Sequence, residues 1–482
     1  MAYRDTSTLD KVGQFNLDKL EIISYRQEKS EAGPKLMDIR GITLNFEIAE
    51  DILSNNLVGS LIVYDAQDIK TLLPITGLEK LSFKMSTPGF DGYDCTNESG
   101  HPMQIYKVDK VKLDPKTGKQ QLYKIFFCSE EMYYNTLNRV SQAFEGPIED
   151  AVDKIFRTRT YLNSKKPLFF EPTKSNSKFV IPNLRPYKAI GMLSSMAKSA
   201  KYDNAGYLFY ETSKGFQFRS LESMLAMGGA SLRPPAWKFM TQIVPITDTK
   251  VEGIKNIKRR MSTVINYQFD RPVDTMINIM SGMLSNRLIV HDAFNKTLTT
   301  TDFNYKEKFA KSFHTDEGTD NFLSPDTPFG DTGKTLFEHP LSMLMTMTET
   351  SKIHNNFEFP KAAEILPLIV SQMQTMKNMN LNLEVYLNTN INAGDVIEFS
   401  NPVIQPKAPG EQEEENPYSS GRFLVLAVKH IVNIEAEQGS TIIKCFKDSV
   451  RTPLPSESDP LIVGTEEKEK ADINEADLAI ST

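Results

Sequence analysis

Two stretches of the chain, more than three hundred residues apart, share one hydrophobic pattern. In the first, Ile42, Leu44, Phe46 and Ile48 point one way, while Thr43, Asn45 and Glu47 point the other. In the second, Leu381, Leu383, Val385 and Leu387 alternate with Asn382, Glu384, Tyr386 and Asn388. A period of two is the mark of a strand with one buried face. Around each, further short strands predict a small antiparallel β-barrel, with a helical segment and a long insertion between them. A duplicated module of this kind points to a building block of a ring rather than to an enzyme.

After a polar lead, strand-like runs come quickly, at residues 20–24, 37–48, 58–64, 81–85, 105–113 and 121–128. That density belongs to a sandwich or barrel. The last two runs flank Asp114-Pro115-Lys116-Thr117-Gly118-Lys119. Proline presets φ for a turn and glycine accepts positive φ, so the two runs should form a hairpin.

From about residue 130 the period changes to that of a helix. Gly146-Pro147 precedes Ile148, Val152, Ile155 and Phe156 on one face, with Glu149 and Asp150 in the first turn and Arg157 at the far end. This charge order suits the helix dipole. A second helix should follow Pro186, burying Ile190, Leu193, Ala197 and Ala200, and residues 206–209 and 215–218 should form another hairpin. Residues 236–269 return to strand character, yet the next convincing barrel strand starts only at Leu381. The intervening segment of about 110 residues, with a turn-rich centre at 315–335, reads as an insertion with mobile loops. It ends in a helix near Pro360 bearing Ile365, Ile369, Met373 and Met376, which Pro367 must begin or kink. The second barrel then closes through 396–399, 422–434 and 440–447, with an acidic exposed loop at 402–420.

The expected fold class is therefore β-rich α+β: two similar small antiparallel β-barrels with a central α+β domain and an insertion. The expected divisions are a lead (1–17), the first barrel (18–129), the central α+β domain (130–235), the start of the second barrel (236–290), the insertion (291–379), the completion of the second barrel (380–450) and an acidic tail (451–482). The tail holds eight acidic residues against Arg451, Lys468 and Lys470 and no aromatic residue, so it should be disordered until a partner orders it. Leu461–Val463 and Leu478–Ile480 are its short apolar anchors.

Across 482 residues the formal net charge is -7, which argues against a surface built to grip nucleic-acid phosphates. Cys95, Cys128 and Cys445 are too few and scattered for a disulfide framework or a thiolate metal site. No stretch has the roughly 20 apolar residues of a membrane span and the N-terminus has no signal-peptide core, so cytosolic synthesis is expected. Asn97-Glu98-Ser99 matches a glycosylation pattern that goes unused without a secretory signal.

Candidate chemistry resolves into plainer readings. Gly330-Asp331-Thr332-Gly333-Lys334-Thr335 looks like part of a phosphate loop, but the first glycine is replaced by Pro328 and no strand leads into it. Ser195-Met196-Ala197-Lys198 has the spacing of a serine activated by lysine, and the only Lys-Thr-Gly, at Lys116, is explained by a turn. No two of His101, His291, His314, His339, His354 and His430 stand four apart, as ligands on one helix face would. His430 reads as a barrel-edge histidine. No carboxylate pair stands out as a glycosidase pair. Met343-Leu344-Met345-Thr346-Met347 alternates like a strand, for core or subunit packing or for a soft binding surface. No catalytic, cofactor-binding or metal-ligating residue is assigned, and no cofactor is expected.

The segments GITLNFEIAEDI (41–52), LIVYD (61–65) and LPITGLEKLSF (73–83) resemble the first barrel of baseplate hub proteins of contractile-tailed phages. FVIPN (179–183), YLFYE (207–211) and GFQF (215–218) are similar to their central domain, and GDVIEF (394–399), GRFLV (421–425) and KDS (447–449) to their second barrel. The resemblance covers residues 18–450 in order and extends to the hub part of VgrG-type spike proteins. It implies a structural homotrimer: a pseudo-six-fold ring joining a six-fold tail tube to a three-fold central spike, around an axial channel for tape-measure protein and DNA. The implied partners are a separate spike protein, the tail tube or its initiator, the tape-measure protein and other baseplate proteins. No stable, specific nucleic-acid binding and no membrane anchor are implied. The implied place is the tail baseplate of a virion, after assembly in the host cytoplasm. The chain ends about 30 residues after the second barrel, a length that leaves no room for a fused needle or OB-fold and gives no basis for lysozyme activity. Two alternatives stay open: a hub of a non-phage contractile injection system, and a cell-wall hydrolase with an unrecognised site.

Overall fold

A computed structural model describes residues 9–24, 35–66, 69, 75–113, 120–174, 176–228, 231–241, 257, 259–270, 274–292, 296–316, 328, 330–346, 362–403 and 415–450. The acidic tail, the turn at 114–119, most of the loops at 315–335 and 402–420, His354 and Met347 lie outside them.

The N-terminal strands are β1 (Asn16–Ser24), β2 (Lys35–Asp38), β3 (Thr43–Asp51), β4 (Val58–Asp65), β5 (Lys80–Ser86), β6 (Tyr93–Cys95), β7 (Met103–Leu113) and β8 (Gln121–Cys128). The run expected at 37–48 is split by a 3₁₀ turn, Arg40–Ile42, because the Ile39 carbonyl accepts from the N–H groups of Ile42 and Thr43 and from the Thr43 hydroxyl. Phe46 and Ile48 are buried as the alternation requires, whereas Ile42 and Leu44 are only half-buried, beside a bulge between Thr43 and Asn45. The expected hairpin is present: β7 and β8 pair antiparallel from Gln104↔Cys128 to Leu113↔Gln121.

The central region runs α1 (Glu131–Leu137), β9 (Val140–Pro147), α2 (Ile148–Arg157), β10 (Leu168–Phe170), β11 (Asn176–Leu184), α3 (Pro186–Ser194), β12 (Leu208–Thr212), β13 (Gly215–Arg219), α4 (Leu221–Leu225), β14 (Ala226–Gly228) and β15 (Ser231–Leu232). Both expected helices start where proline sets φ, Pro147 capping α2 and Pro186 opening α3. The second stops sooner than its periodicity suggests. Ala197 is buried beyond its end and Ala200 is exposed, correcting the expected buried face. Phe156, Phe209 and Phe216 form its aromatic core, with ring centroids 4.9–6.2 Å apart.

The C-terminal part holds β16 (Trp237–Met240), β17 (Val264–Asp270), α5 (Thr275–Met280), β18 (Ser285–Asp292), β19 (Thr297–Asn304), α6 (Tyr305–Phe309), β20 (Leu341–Thr346), α7 (Ala362–Thr375), β21 (Asn380–Tyr386), β22 (Val396–Ser400), β23 (Gly421–Asn433) and β24 (Gln438–Phe446). Residues 285–290, expected to belong with the second barrel, instead begin a separate three-stranded sheet, β19-β18-β20. The alternation missed it because β19, TLTTTDFN, has little apolar face to bury. Pro367 sits inside α7 rather than at its start. Leu381, Leu383, Val385 and Leu387 are buried as expected, but so is Asn388.

The main sheet is continuous and large, with the path β17-β21-β24-β23-β3-β4-β8-β7-β5-β1-β2, β6 added on β5, β22 added on β23 and β16 on β22. It has two halves that meet where β23 pairs with β3. In chain order, the six main strands of the first half are β1, β3, β4, β5, β7 and β8; those of the second are β16, β17, β21, β22, β23 and β24. In space both halves run first, fourth, fifth, sixth, third, second.

The registers repeat too. Lys80↔Gln104 matches Val396↔Leu424, Val58↔Cys128 matches Asn380↔Phe446, and Ala49↔Val58 matches Asp270↔Asn380. The bulge at Ile105/Lys107 recurs at Val425/Ala427, and that at Thr43/Asn45 recurs at Val264/Asn266. Even the entry to the fifth strand is shared: Ile105 N–H donates to Glu79 O at 2.9 Å and Val425 N–H to Asp395 O at 2.8 Å. The first strand differs, since β1 is antiparallel to β5 whereas β16 is parallel to β22.

Each half encloses its own core. Phe46, Phe83 and Phe127 pack together in the first, at 5.0–5.6 Å. Phe239, Leu383, Phe399, Phe423 and Ile443 fill the second. Volume is traded between halves at one equivalent cross-strand pair: Gly59 opposite Phe127 in the first, Leu381 opposite Cys445 in the second. A Cβ on Gly59 would overlap the Phe127 ring and come within 2.6 Å of the Glu47 carbonyl oxygen.

Candidate assembly interface

The seam between the halves is built by one long strand. On a single edge, β23 pairs first with β22, at Gly421–Leu424, and beyond its bulge with β3, from Ala427↔Asp51 to Asn433↔Asn45. A bulge re-aims a strand and ends one pairing, which lets one edge serve two partners. Lys429 reaches across the seam to Glu47 at 3.1 Å, and Lys124 lies 3.6 Å from the same carboxylate. Burial would raise the Glu47 carboxyl, but the two lysines and the Ser60 hydroxyl outweigh it and hold it below the ordinary value.

His430 lies in this seam. It is fully buried, its Nδ1 is 2.9 Å from the Thr441 hydroxyl and its ring meets Tyr93 edge-on. Burial pushes its pKa down to about 3, so it is a neutral packing group.

Beside the seam, Glu50 of β3 gathers three regions of the chain. It accepts from the Tyr93 hydroxyl (2.7 Å), from Ser213 N–H of the central region (2.7 Å) and from Ala393 N–H of the second half (2.8 Å). Complete burial raises its pKa to about 7, against the pull of those donors. A second node lies at Lys166, 2.6 Å from Glu211 and 3.0 Å from Glu131. Burial opposes its charge, yet the two carboxylates outweigh it and hold the ammonium protonated. Glu211 also accepts from Leu57 N–H and the Ser129 hydroxyl, tying the central region to the first half.

A third node ties residues 314–316 to the end of the second half. Lys447 and Asp316 are both buried and 2.9 Å apart. His314 Nδ1 meets Asp448 at 2.9 Å and Thr315 N–H donates to the same carboxylate. Gly421 is required there: its φ is +131°, and a Cβ would collide with the Asp316 carboxylate and lie 2.6 Å from the Lys447 nitrogen.

Two edges differ from the seam although they are equivalent to its two sides. β17 corresponds to β3 but ends the sheet path; β16 touches it only through a bridge from Met240 to Thr263, just before its start, and no strand pairs along its outer edge among the described residues. Its Ile265 and Tyr267 are 48% and 39% exposed, while Phe46, equivalent to Tyr267, is fully buried. β7 corresponds to β23, yet on the β5 side it pairs only through Met103 and Gln104, and no strand covers 107–113 there among the described residues.

The candidate chemical residues do not converge. The Ser195 hydroxyl donates to Met192 O at 2.7 Å, and Lys198 bridges Asp203 and Glu364 at 3.1 Å each. Burial tends to lower the lysine's pKa, but those carboxylates raise it, the reverse of what a base needs. Gly330–Thr332 forms a 3₁₀ turn, and Thr335 with Glu338 makes a capping box on the next one. Residues 341–346 form β20, parallel to β18. The three cysteines are buried and free, and no group of three potential metal ligands occurs among the described residues. An open cleft of about 490 Å³ lies in the central region between Phe169, Phe170, Lys214, Arg219 and Arg233. No helix among the described residues is long and apolar enough to cross a membrane.

No family model matches the sequence, and no curated protein matches it. Among solved structures, similar chains include tail proteins, two of them from prophages, and a component of the type VI secretion system. A tail protein from Neisseria meningitidis is 8% identical over 90% of this chain and 97% of its own, with a TM-score of 0.47. A 43 kDa tail protein of a Shewanella oneidensis prophage is 8% identical over 89% and 98%, with a TM-score of 0.48. An Escherichia coli component of the type VI secretion system is 9% identical over 93% and 80%, with a TM-score of 0.40.

Proposed function

We propose that this chain is the central hub of a contractile-tail baseplate: a structural, non-catalytic protein whose two sheet halves act as two copies of one small barrel. Three chains then supply six barrel positions. A ring of that kind meets a six-fold tail tube on one side and a three-fold spike on the other, leaving an axial channel for tape-measure protein and DNA. The observation that carries the reading is the repeat of strand order, register and bulges in two halves joined edge to edge. A closed ring needs complementary edges on each unit, and duplication lets one chain present two nearly equivalent positions. The cytoplasm of the host would be the place of assembly and the virion tail the destination; a phage-derived injection particle would use the same plan.

The channel lining is expected not to be basic, because lysine and arginine on phosphates would bind DNA and slow its passage. The partners are a separate spike, the tube or its initiator, the tape-measure protein and neighbouring baseplate proteins. Removing residues after Pro453 should leave ring formation intact and weaken capture of a neighbour. The test is light scattering on the full chain, followed by mixing with spike and tube proteins from the same particle. A mass three times the 54.5 kDa chain, with co-elution of either partner, supports the reading; a monomer at high concentration that binds neither contradicts it.

A further inference from the structure

We infer that copies of this chain join by strand addition, the free edge of β17 in one copy pairing antiparallel with residues 107–113 of β7 in the next. The inference rests on the ring proposed above, and its register comes from the chain's own seam. Within one chain, the second strand of the first half (β3) pairs with the fifth strand of the second half (β23). Between copies, the second strand of the second half (β17) meets the fifth strand of the first half (β7). Alternating the two joints passes the same contact around the ring.

The repeated registers fix which residues meet. β3 maps on β17 so that Ala49, Ile48, Glu47 and Phe46 become Asp270, Phe269, Gln268 and Tyr267. β23 maps on β7 so that Lys429, Ile431 and Val432 become Asp109, Lys112 and Leu113, across a further bulge between Asp109 and Lys112 that β23 lacks. In the seam Lys429 faces Ala49, Ile431 faces Glu47 and Val432 faces Phe46. Between copies, therefore, Asp109 faces Asp270, Lys112 faces Gln268 and Leu113 faces Tyr267.

Three local observations fit. The β7 bulge at Ile105/Lys107 stands where the bulge in β23 frees that strand for its second partner. Ile265 and Tyr267 are apolar groups on an uncovered edge, the arrangement that invites an added strand. Tyr267 lies against Phe399 of the second core, with centroids 5.5 Å apart, so a covering strand would bury it as β23 buries Phe46.

One contact is unfavourable. Asp109 opposite Asp270 places like charges across the joint. Each brings a partner of its own, Lys107 at 2.6 Å from Asp109 and the Asn382 amide at 2.6 Å from Asp270. The joint is then weaker than the internal seam and loosens when Lys107 is removed.

The test is disulfide trapping in the full chain carrying Lys112→Cys and Gln268→Cys together. Both positions are exposed, and the native cysteines are buried and do not compete. Residues directly opposite in an antiparallel pair lie within reach of a disulfide. Mild oxidation should give a ladder of covalent dimer and trimer at a yield at least about tenfold above either single-cysteine chain, since pairing raises the effective thiol concentration. The out-of-register pair Lys112→Cys with Asn266→Cys, two residues along β17, should stay near the single-cysteine level. A trimer by light scattering that gives no ladder with the first pair, or an equal ladder with both pairs, overturns the strand pairing and leaves the hub reading standing. A chain that never exceeds monomer mass and gives no ladder overturns both.

Discussion

The two halves of the main sheet share strand order, register and two bulges, with one further bulge in β7 between Asp109 and Lys112, yet they solve the problem of their edges differently. In the first half, β3 is covered by β23 and its Phe46 is fully buried. In the second, the equivalent β17 is uncovered and its Tyr267 is 39% exposed. The first half is almost continuous in sequence, while the second carries an insertion between its second and third strands, with the sheet β19-β18-β20 inside it. A loop can lengthen at modest entropic cost, so the insertion leaves the sheet order unchanged. What it adds is the buried junction of Asp316 with Lys447, for which the first half has no counterpart among the described residues. The comparison teaches that the duplicated unit fixes register, whereas neighbours decide which of its faces are buried.

The largest contrast should come from truncating equivalent residues. Phe46→Ala is expected to cost about 3–5 kcal/mol and Tyr267→Ala below about 1 kcal/mol in the isolated chain. Urea unfolding of both variants reads the difference, and equal losses would break the comparison. The insertion junction comes next. Lys447→Met removes the buried ammonium that lies 2.9 Å from the Asp316 carboxylate, a loss of about 3–5 kcal/mol when one partner of a buried pair is removed. Limited proteolysis of that variant should proceed sooner than in the parent chain.

Glu50 sets a pH dependence at the meeting point of the halves. Its folded pKa, about 7, lies above the ordinary 4.5. Its contribution is therefore fully present below pH 4.5 and is lost as the pH rises through about 7. The difference in stability between the parent chain and Glu50→Gln, followed from pH 4.5 to 8, should change by an amount on the order of 3 kcal/mol. A difference that stays flat across that range would show that Glu50 is not held as described. The smallest effect belongs to the exchanged volumes. Gly59→Ala should cost about 1–3 kcal/mol through overpacking against Phe127, and Phe127→Leu in the same chain should recover part of it. A double variant less stable than the Gly59 variant alone would contradict the volume trade with Leu381 and Cys445.

Much of this architecture is readable from local patterning. Strict alternation marked β21, proline marked the starts of α2 and α3, and the hairpin of β7 and β8 followed from its turn residues. The pattern failed where physics is non-local. β19 is polar and pairs through its backbone, so no apolar period announces it. The bulges in β7 and β23 leave no compositional trace, yet they decide which edges are open. Lys447 and Asp316 lie far apart in the chain, and nothing near either one signals a buried pair. Ser195 and Lys198, which have the spacing of an activated serine in the sequence, are engaged separately in the fold, the serine with Met192 O and the lysine with Asp203 and Glu364. The open edges of β17 and β7 were the least legible feature, because they appear only when the two registers are laid over one another.

Single-particle imaging of the purified full chain tests the central claim most directly. The account predicts a closed ring of six β-rich lobes of two alternating kinds around an open axis, with the lobes joined alternately by the β3–β23 seam and by β17 against β7. A monomer, a two-fold dimer or a ring whose lobe number is not six would contradict it.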